Sequence, residues 1–186
     1  MDFSVDVKQQ ELIDLAKTIA EKEIAPRALR IDKSGVMDEE LLKVLKESGM
    51  TQLSVPKEYG GAGIDLLTGA LISEQLSKGC AGVATICAAN SLASFPILFA
   101  GSDMQKRDLF DCLNRGGMAC FALTEPGAGS DAGAVSCRAE KVEGGYILNG
   151  TKCFITNAPI ADKITLFANT REGGGNQRSY CISCRC

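Results

Sequence analysis

Residues 121–131 read Phe-Ala-Leu-Thr-Glu-Pro-Gly-Ala-Gly-Ser-Asp, and they mark the point where the chain leaves an apolar run for a loop. Gly127 and Gly129 let a ligand approach the backbone closely and leave N–H groups uncovered. Thr124 and Ser130 add two hydroxyl groups. Uncovered N–H groups and hydroxyls suit a polar, partly anionic cofactor such as a flavin dinucleotide.

The sequence around and after this stretch has the period of β-strands. Residues 135–142 alternate, Gly144 and Gly145 turn the chain, and residues 146–148 return it, which predicts a hairpin. Three further apolar runs are strand-like: 119–123, 153–155 and 164–168. Further turns are expected at 149–150 and 173–175.

The sequence before residue 117 predicts helices instead. Apolar residues recur at helical spacing over residues 12–20, and Pro26 is expected to end or kink that helix. Candidate helix starts are Asp38, Asp65 and the capping box of Ser102 with Gln105. Gly49 is a candidate C-terminal αL residue, and residues 83–100 are apolar enough for a helix buried on most sides.

The spacing of apolar residues thus changes from helical to strand-like along the chain, which places it in the α+β class. We expect an all-α domain over residues 1–116, stopped by Gly116 and Gly117. A β domain over residues 117–186 follows, with an incomplete antiparallel barrel or sandwich.

Composition excludes several classes of chemistry. The chain has 186 residues, a net charge of −3 and no histidine, so it has no Ser–His or Cys–His nucleophile and no histidine metal ligand. The slightly acidic balance argues against a nucleic-acid partner. No secretory or Arg-rich leader and no run of about 18 apolar residues is apparent, which favours a soluble, cytoplasmic protein without a membrane contact.

The nine cysteines are expected to be reduced. Cys80, Cys87, Cys112, Cys120, Cys137 and Cys153 lie singly among apolar neighbours, as small buried hydrophobes do. The run of Cys181, Cys184 and Cys186 resembles half a metal site, but no partner cluster exists elsewhere, so we predict no metal.

Several motifs in the same order resemble the acyl-CoA dehydrogenase family. The first is residues 124–131, Thr-Glu-Pro-Gly-Ala-Gly-Ser-Asp, and the second is residues 149–157, Asn-Gly-Thr-Lys-Cys-Phe-Ile-Thr-Asn. Residues 56–63 match the family's Pro-x-x-Tyr-Gly-Gly-x-Gly loop. The resemblance covers nearly the whole chain and implies the fold of that family's N-terminal and middle domains.

The resemblance also implies an FAD site. Its cofactor-binding residues would be Phe121, Ala122, Leu123, Thr124, Gly127, Gly129, Ser130, Phe154, Ile155 and Thr156. In the family the first segment holds the isoalloxazine ring through its backbone and a threonine hydroxyl. Ser130 also lies near the substrate's pantetheine arm, and the second segment places an aromatic ring and a threonine hydroxyl beside the flavin.

The chain departs from the family at one of these positions. The usual residue at position 154 is Trp, whereas Phe keeps the stacking face and loses the indole N–H. Glu125 and Asp131 are given structural roles by the resemblance, as acceptors for loop N–H groups. Phe95, Leu98 and Phe99 lie in the region that closes the acyl cavity in the family, although plain core packing explains them equally well.

The reaction implied is α,β-dehydrogenation of an acyl-CoA thioester in fatty acid metabolism, with hydride passing to flavin N5 and electrons to an electron-transfer flavoprotein. The family's catalytic base is a glutamate of a third, helical domain, and no residue here matches it. We therefore assign no catalytic residue and expect this chain alone to be inactive. Family members form homo-oligomers through that domain, so we do not expect this chain to assemble in that way.

Two other interpretations remain open. One is a related flavoenzyme, an acyl-CoA oxidase or a flavin-dependent monooxygenase, which turnover with oxygen alone would reveal. The other is a non-enzymatic, helical interaction fragment, which the absence of bound flavin would favour.

Overall fold

The computed structural model describes residues 4–170 and the backbone of Cys184–Arg185. These residues group into two compact units. The helical unit consists of the residues up to Ser91 together with Leu113–Gly116. The sheet unit consists of Leu92–Cys112 and the residues from Gly117 onward. The predicted domain boundary between residues 116 and 117 stays a prediction.

The first two-thirds of the chain is helical, as predicted. The helices are α1 (Val7–Ile19), α2 (Ala25–Ser34), α3 (Glu39–Glu47), α4 (Leu66–Gly79), α5 (Ala81–Ala100) and α6 (Asp103–Asn114). Short 3₁₀ turns cover Lys57–Tyr59, Ala132–Ala134 and Ala158–Ile160.

The predicted helix starts are confirmed by their hydrogen bonds. Asp38 and Asp65 each accept the backbone N–H of the third residue of the helix that follows, at 3.0 and 2.8 Å. The α6 capping box is present, with Gln105 N donating to Ser102 Oγ and Ser102 N donating to Gln105 Oε1. Gly49 adopts a φ of 78°, the left-handed conformation expected beyond the end of α3.

Pro26 neither ends nor visibly breaks the first helical segment. A π-helical turn, Ala20–Ile24, follows α1, and the N–H of Ala25 donates to the carbonyl of Ala20. Pro26 is then the second residue of α2, where a helix needs no intrahelical N–H. The prediction that Pro26 ends the helix was wrong, because the wider turn restarts the helix at a position that tolerates proline, whereas a kink stays a prediction.

The core of the helical unit is built from α1, α3, α4 and the first part of α5. Its buried residues are Ile13, Ala16, Ile19, Ile24, Leu41, Leu45, Met50, Ile72, Leu76, Val83, Ala84 and Cys87. Leu12 is half-buried against this core, whereas Leu15 is 40% exposed, so the buried stripe of α1 is narrower than its sequence suggests.

Helix α5 is long and apolar enough to cross a membrane by length and composition alone. The buried core helix of a water-soluble protein passes the same test. Asn90 of α5 is fully buried and donates from Nδ2 to the carbonyl of Thr51 at 2.8 Å, and Ser94 is also buried. These buried polar groups suit a helix that packs within protein.

The described strands form two small sheets. They are β1 (Ala119–Ala122), β2 (Arg138–Val142), β3 (Gly145–Asn149), β4 (Lys163–Leu166) and β5 (Cys184–Arg185). The β2–β3 hairpin is antiparallel, as predicted, and its two-residue loop has Gly144 at a φ of 80°. β4 pairs with β5 antiparallel, but β1 pairs with β4 in parallel, with Phe121 opposite Thr165.

The parallel pair departs from the purely antiparallel sheet that was expected. Parallel neighbours need a long crossover connection, and residues 123–162 supply it with the motif loop and the β2–β3 hairpin. The described strands do not close a barrel. The α+β class, with a helical part followed by a partial sheet part, is confirmed.

The sheet unit has its own buried cluster. Its buried members are Ala128, Val135, Cys137, Ala139 and Ala168. Four of the six single cysteines of residues 80–153 are buried, as predicted: Cys87, Cys112, Cys120 and Cys137. Cys80 and Cys153 are only half-buried, so the prediction of burial is wrong for these two. The three cysteines of the C-terminal run, like the predicted turn at 173–175, lie outside the residues whose side chains are described.

Candidate functional site

The motif loop leaves β1 through a tight turn. Glu125 and Ala128 exchange both backbone hydrogen bonds, each at 3.1 Å, so that Pro126 and Gly127 form the exposed tip. Glu125 and Ala128 are both buried. The turn therefore points one carboxylate inward and leaves the Pro-Gly tip open to solvent.

The buried carboxylate of Glu125 is fully engaged. It accepts from Ser136 N at 2.8 Å, Ser136 Oγ at 2.6 Å and Cys137 N at 3.0 Å. Its remaining partner is the ammonium group of Lys152, 2.8 Å away. This geometry confirms the structural role that the family resemblance implied for Glu125. Asp131 is exposed and accepts one loop N–H, from Gly133 at 3.0 Å.

Burial and hydrogen bonding act in opposite directions on this carboxyl. Burial raises the pKa of Glu125, but the hydrogen bonds from Lys152, Ser136 and Cys137 outweigh it and lower the pKa to about 2. Glu125 is therefore ionised at any physiological pH and cannot serve as a proton acceptor there.

The low pKa predicts acid sensitivity. The pKa of Glu125 falls from an ordinary 4.5 to about 2 on folding, so its stabilisation is present above pH 4.5 and is lost as pH falls from 4.5 towards 2. The contribution is of the order of 3 kcal/mol at neutral pH. Urea denaturation at pH 7, 4 and 3 measures it.

Glu125→Gln is the control for this acid sensitivity. The variant should be less stable at pH 7, and its unfolding free energy should change less between pH 7 and 3 than that of the unmodified chain. An identical slope in both proteins would contradict the assignment of the low pKa to Glu125.

Besides the bond from Lys152 to Glu125, three hydrogen bonds join the second motif to β1 and the motif loop. Cys153 N donates to the carbonyl of Thr124 at 3.0 Å, and Lys152 Nζ donates to the carbonyl of Leu123 at 2.8 Å. Asn157 Nδ2 donates to the carbonyl of Ala119 at 3.2 Å. The two segments that the sequence singled out are therefore neighbours along the end of β1.

Residues 153–155 do not form the predicted strand. Phe154 and Asn157 adopt φ values of 56° and 70°, which strands do not use. An apolar run of three residues suggested a strand, but the contacts with Thr124 and Ala119 hold this segment as a loop.

Phe154 is an unusual residue in this loop. It combines a left-handed backbone, which is uncommon for a bulky residue, with a side chain that is 94% exposed. Such a conformation costs of the order of 1–3 kcal/mol and is found preferentially where a ligand is held. An exposed ring fixed by its backbone is suited to stacking on a flat ligand.

The remaining predicted residues are distributed along the same two segments. Ala122 is buried, and Phe121, Leu123, Thr124 and Ile155 are half-buried. Gly127, Gly129, Ser130 and Thr156 are exposed, and a methyl group placed on either glycine would meet no atom within 4 Å. Hydroxyls, open glycines and an exposed ring thus lie on two joined segments, which is the donor set that a flavin dinucleotide requires.

Sequence reasoning did not single out Lys152, Ser136 or Asn157. The one signal available was a lysine inside an otherwise uncharged motif, which needs an anionic partner when it is buried. Among the described residues, no cluster of histidine, cysteine or carboxylate side chains forms a metal site.

Family models match almost the whole chain. Residues 6–117 match "Acyl-CoA dehydrogenase, N-terminal domain", and residues 120–184 match "Acyl-CoA dehydrogenase, middle domain".

Curated relatives agree with these matches. The chain is 44% identical over 174 residues to a 3-(aryl)acrylate reductase of Clostridium sporogenes, covering 91% of this chain and 46% of the relative. It is 39% identical over 170 residues to the mitochondrial short-chain specific acyl-CoA dehydrogenase of Rattus norvegicus, covering 90% and 41%. The chain spans less than half the length of these two relatives.

Solved structures share the fold. Butyryl-CoA dehydrogenase from Megasphaera elsdenii superposes with a TM-score of 0.84 at 38% identity, over 92% of this chain and 46% of that one. A structure described as the electron transferring flavoprotein of Acidaminococcus fermentans contains a chain with the same TM-score, identity and coverage. A glutaryl-CoA dehydrogenase from Mycobacterium smegmatis in complex with FADH2 gives 0.81 at 28% identity, over 91% and 44%.

Proposed function

The chain belongs to the acyl-CoA dehydrogenase family, and on that premise we propose that it is the FAD-binding part of an enzyme that oxidises the α,β carbon–carbon bond of an acyl-CoA thioester. The observation that carries this proposal is Phe154, an exposed aromatic in a left-handed backbone on a segment hydrogen-bonded to Thr124. Within the part of the chain that the structure describes, no core packs against this ring, because Phe154 is 94% exposed.

The residues assigned to FAD are those at the end of β1, in the motif loop and in the second motif. They are Phe121, Ala122, Leu123, Thr124, Gly127, Gly129, Ser130, Phe154, Ile155 and Thr156. Backbone groups and the Thr124 hydroxyl would hold the flavin ring, the open glycines and Ser130 would bind its pyrophosphate, and Phe154 would stack on the ring. A relative that is solved with FADH2 supports this choice of cofactor.

The bound flavin supplies the hydride acceptor that the protein lacks. The chain's own residues would bind and orient the two ligands. Ser130 would also contact the pantetheine arm of the substrate, and the Thr156 hydroxyl would bind the flavin. Glu125 takes no proton, because its pKa is about 2 and its oxygens are occupied. No catalytic residue is assigned within this chain.

A second candidate is the reverse reaction, reduction of an α,β-unsaturated acyl group. The relative with 44% identity is a 3-(aryl)acrylate reductase, and this favours the reductive direction. The same site serves both directions, since the flavin passes hydride either way. Anaerobic turnover of the whole enzyme, with a saturated acyl-CoA or with its unsaturated product, separates the two directions.

The partners follow from the proposed reaction. Acyl-CoA is the substrate and an electron-transfer flavoprotein is the electron acceptor, which agrees with the flavoprotein structure that contains a similar chain. A role in fatty acid metabolism and a cytoplasmic location stay predictions.

A spectrum of the chain with FAD tests the proposal. We expect a bound-flavin spectrum and quenched flavin fluorescence, and Phe154→Ala should weaken FAD binding by about tenfold because a stacking contact is lost. Stability should be unchanged, since the Phe154 ring is 94% exposed. Tyr146→Ala, which removes a partly exposed ring from β3, is the matched control and should leave the dissociation constant unaltered. Failure of the unmodified chain to bind FAD would contradict the proposal.

A further inference from the structure

The buried side chain of Lys152 joins the second motif, to which it belongs, to the motif loop. Its ammonium group donates to the carbonyl of Leu123 and to Oε1 of Glu125, both at 2.8 Å. Its side chain is only 9% exposed, and that of Glu125 is 3% exposed. Two of its three donor positions therefore hold the motif loop, one through a backbone carbonyl and the other through a buried carboxylate.

The loop is in turn tied to the start of the β2 region. Ser136 and Cys137 donate to Glu125 through two backbone N–H groups and one hydroxyl. The carboxylate of Glu125 is thus the point at which three chain segments meet: the motif loop, residues 136–137 and, through the ammonium group of Lys152, the second motif. A buried charge leaves such partners only at a high energetic cost, so the geometry has little freedom.

The residues beside this junction are those assigned to the flavin. Leu123, whose carbonyl Lys152 holds, precedes Thr124, whose carbonyl accepts from Cys153 N. Phe154 follows one residue later with its strained backbone. A displacement of the Lys152 ammonium therefore moves both the Thr124 and the Phe154 sides of the proposed site.

We propose that Lys152, through its buried contacts with Leu123 and Glu125, is a positioning residue that sets the spacing of the two flavin-binding segments. This inference rests on the proposed function and deepens it. Lys152 itself need not touch the cofactor: it acts through the backbone on either side of it, as supporting groups do in other preorganised sites.

A second ion pair in the same unit provides a matched control. Lys163 of β4 donates to Asp108 of α6 at 2.6 Å, and its side chain is 11% exposed. This pair joins a strand to a helix and contacts neither motif through the hydrogen bonds described. Lys163→Met removes a comparable buried ammonium group but leaves the contacts of Lys152 with Leu123 and Glu125 in place.

The experiment compares the unmodified chain with Lys152→Met, Lys163→Met and the double variant Lys152→Met/Glu125→Gln. Each is titrated with FAD by flavin fluorescence, and each is measured for urea stability and for exchange of the Cys153 amide hydrogen. The double variant restores charge balance, so its stability should recover towards the unmodified chain, but it still lacks the bond to the Leu123 carbonyl.

We expect Lys152→Met and the double variant to bind FAD at least about tenfold more weakly, and the Cys153 amide to exchange at least about tenfold faster. Lys163→Met should bind FAD within about twofold of the unmodified chain. Recovery of affinity together with stability in the double variant would overturn the inference, because it would assign Lys152 a role in stability alone. Unchanged affinity in Lys152→Met would do the same.

FAD binding by the unmodified chain distinguishes failure of this inference from failure of the proposed function. If it binds FAD and Lys152→Met binds equally well, the proposed function stands and the positioning role is wrong. If it does not bind FAD, the proposed function fails and the inference fails with it.

Discussion

Glu125→Ala should destabilise the sheet unit by about 3–5 kcal/mol, because it leaves the buried ammonium of Lys152 without its counter-charge. The same change removes the acceptor of Ser136 N, Ser136 Oγ and Cys137 N. The backbone N–H of Cys137 is buried, so the loss of its acceptor adds to the destabilisation. Urea denaturation measures the total, and amide exchange over residues 119–168 shows whether the loss falls in the sheet unit.

Asp131→Ala is the control for this prediction. Asp131 belongs to the same motif and is also a carboxylate, but it is exposed and accepts a single hydrogen bond. Its removal should cost no more than about 1 kcal/mol. Equal losses for the two variants would show that the burial and pairing of Glu125 do not set the stability of the loop.

The motif carboxylates also show what distinguishes a structural acid from a catalytic one. A sequence with two acids six residues apart in a glycine-rich loop invites an acid–base pair. The structure gives Glu125 four hydrogen bonds and a pKa of about 2, whereas Asp131 caps a short turn. Glu125 is therefore not poised to exchange a proton near neutral pH.

The helices were predictable because their signals are local. The caps at Asp38, Asp65 and Ser102 each form hydrogen bonds within three residues along the chain. Gly49 likewise needs only its own backbone conformation. Signals of this kind do not depend on which element packs against the helix, and so the sequence alone specifies them.

The details of the candidate site were not predictable in this way. Lys152 and Glu125 lie 27 residues apart along the chain, and a pairwise contact of that separation leaves no periodic pattern. The left-handed backbone of Phe154 contradicts its local preference and is imposed by contacts with the end of β1. The parallel pairing of β1 with β4 also depends on how residues 123–162 cross over.

The helical unit contains a second glycine-rich loop, and there the structure gives a packing explanation. Gly61→Ala should destabilise that unit by at least about 3 kcal/mol, because a methyl group on Gly61 would overlap the carbonyl oxygen of Val55. It would also lie 2.5 Å from the carbonyl carbon and the Cβ of Val55. Backbone atoms cannot move aside as a flexible side chain does, so the loop of residues 55–63 must open.

Gly69→Ala is the matched control for Gly61→Ala, since it adds the same methyl group in the same unit. Gly69 lies inside α4, and a methyl group there meets no atom within 4 Å. The substitution should therefore stabilise the helix by about 0.5–1 kcal/mol. Urea denaturation followed by circular dichroism measures the change in unfolding free energy of both variants. Changes of opposite sign would show that the loop requires glycine at position 61 because the backbone of Val55 lies against it. This explanation involves no ligand. Equal effects would remove that explanation and leave the glycine to be explained by a ligand.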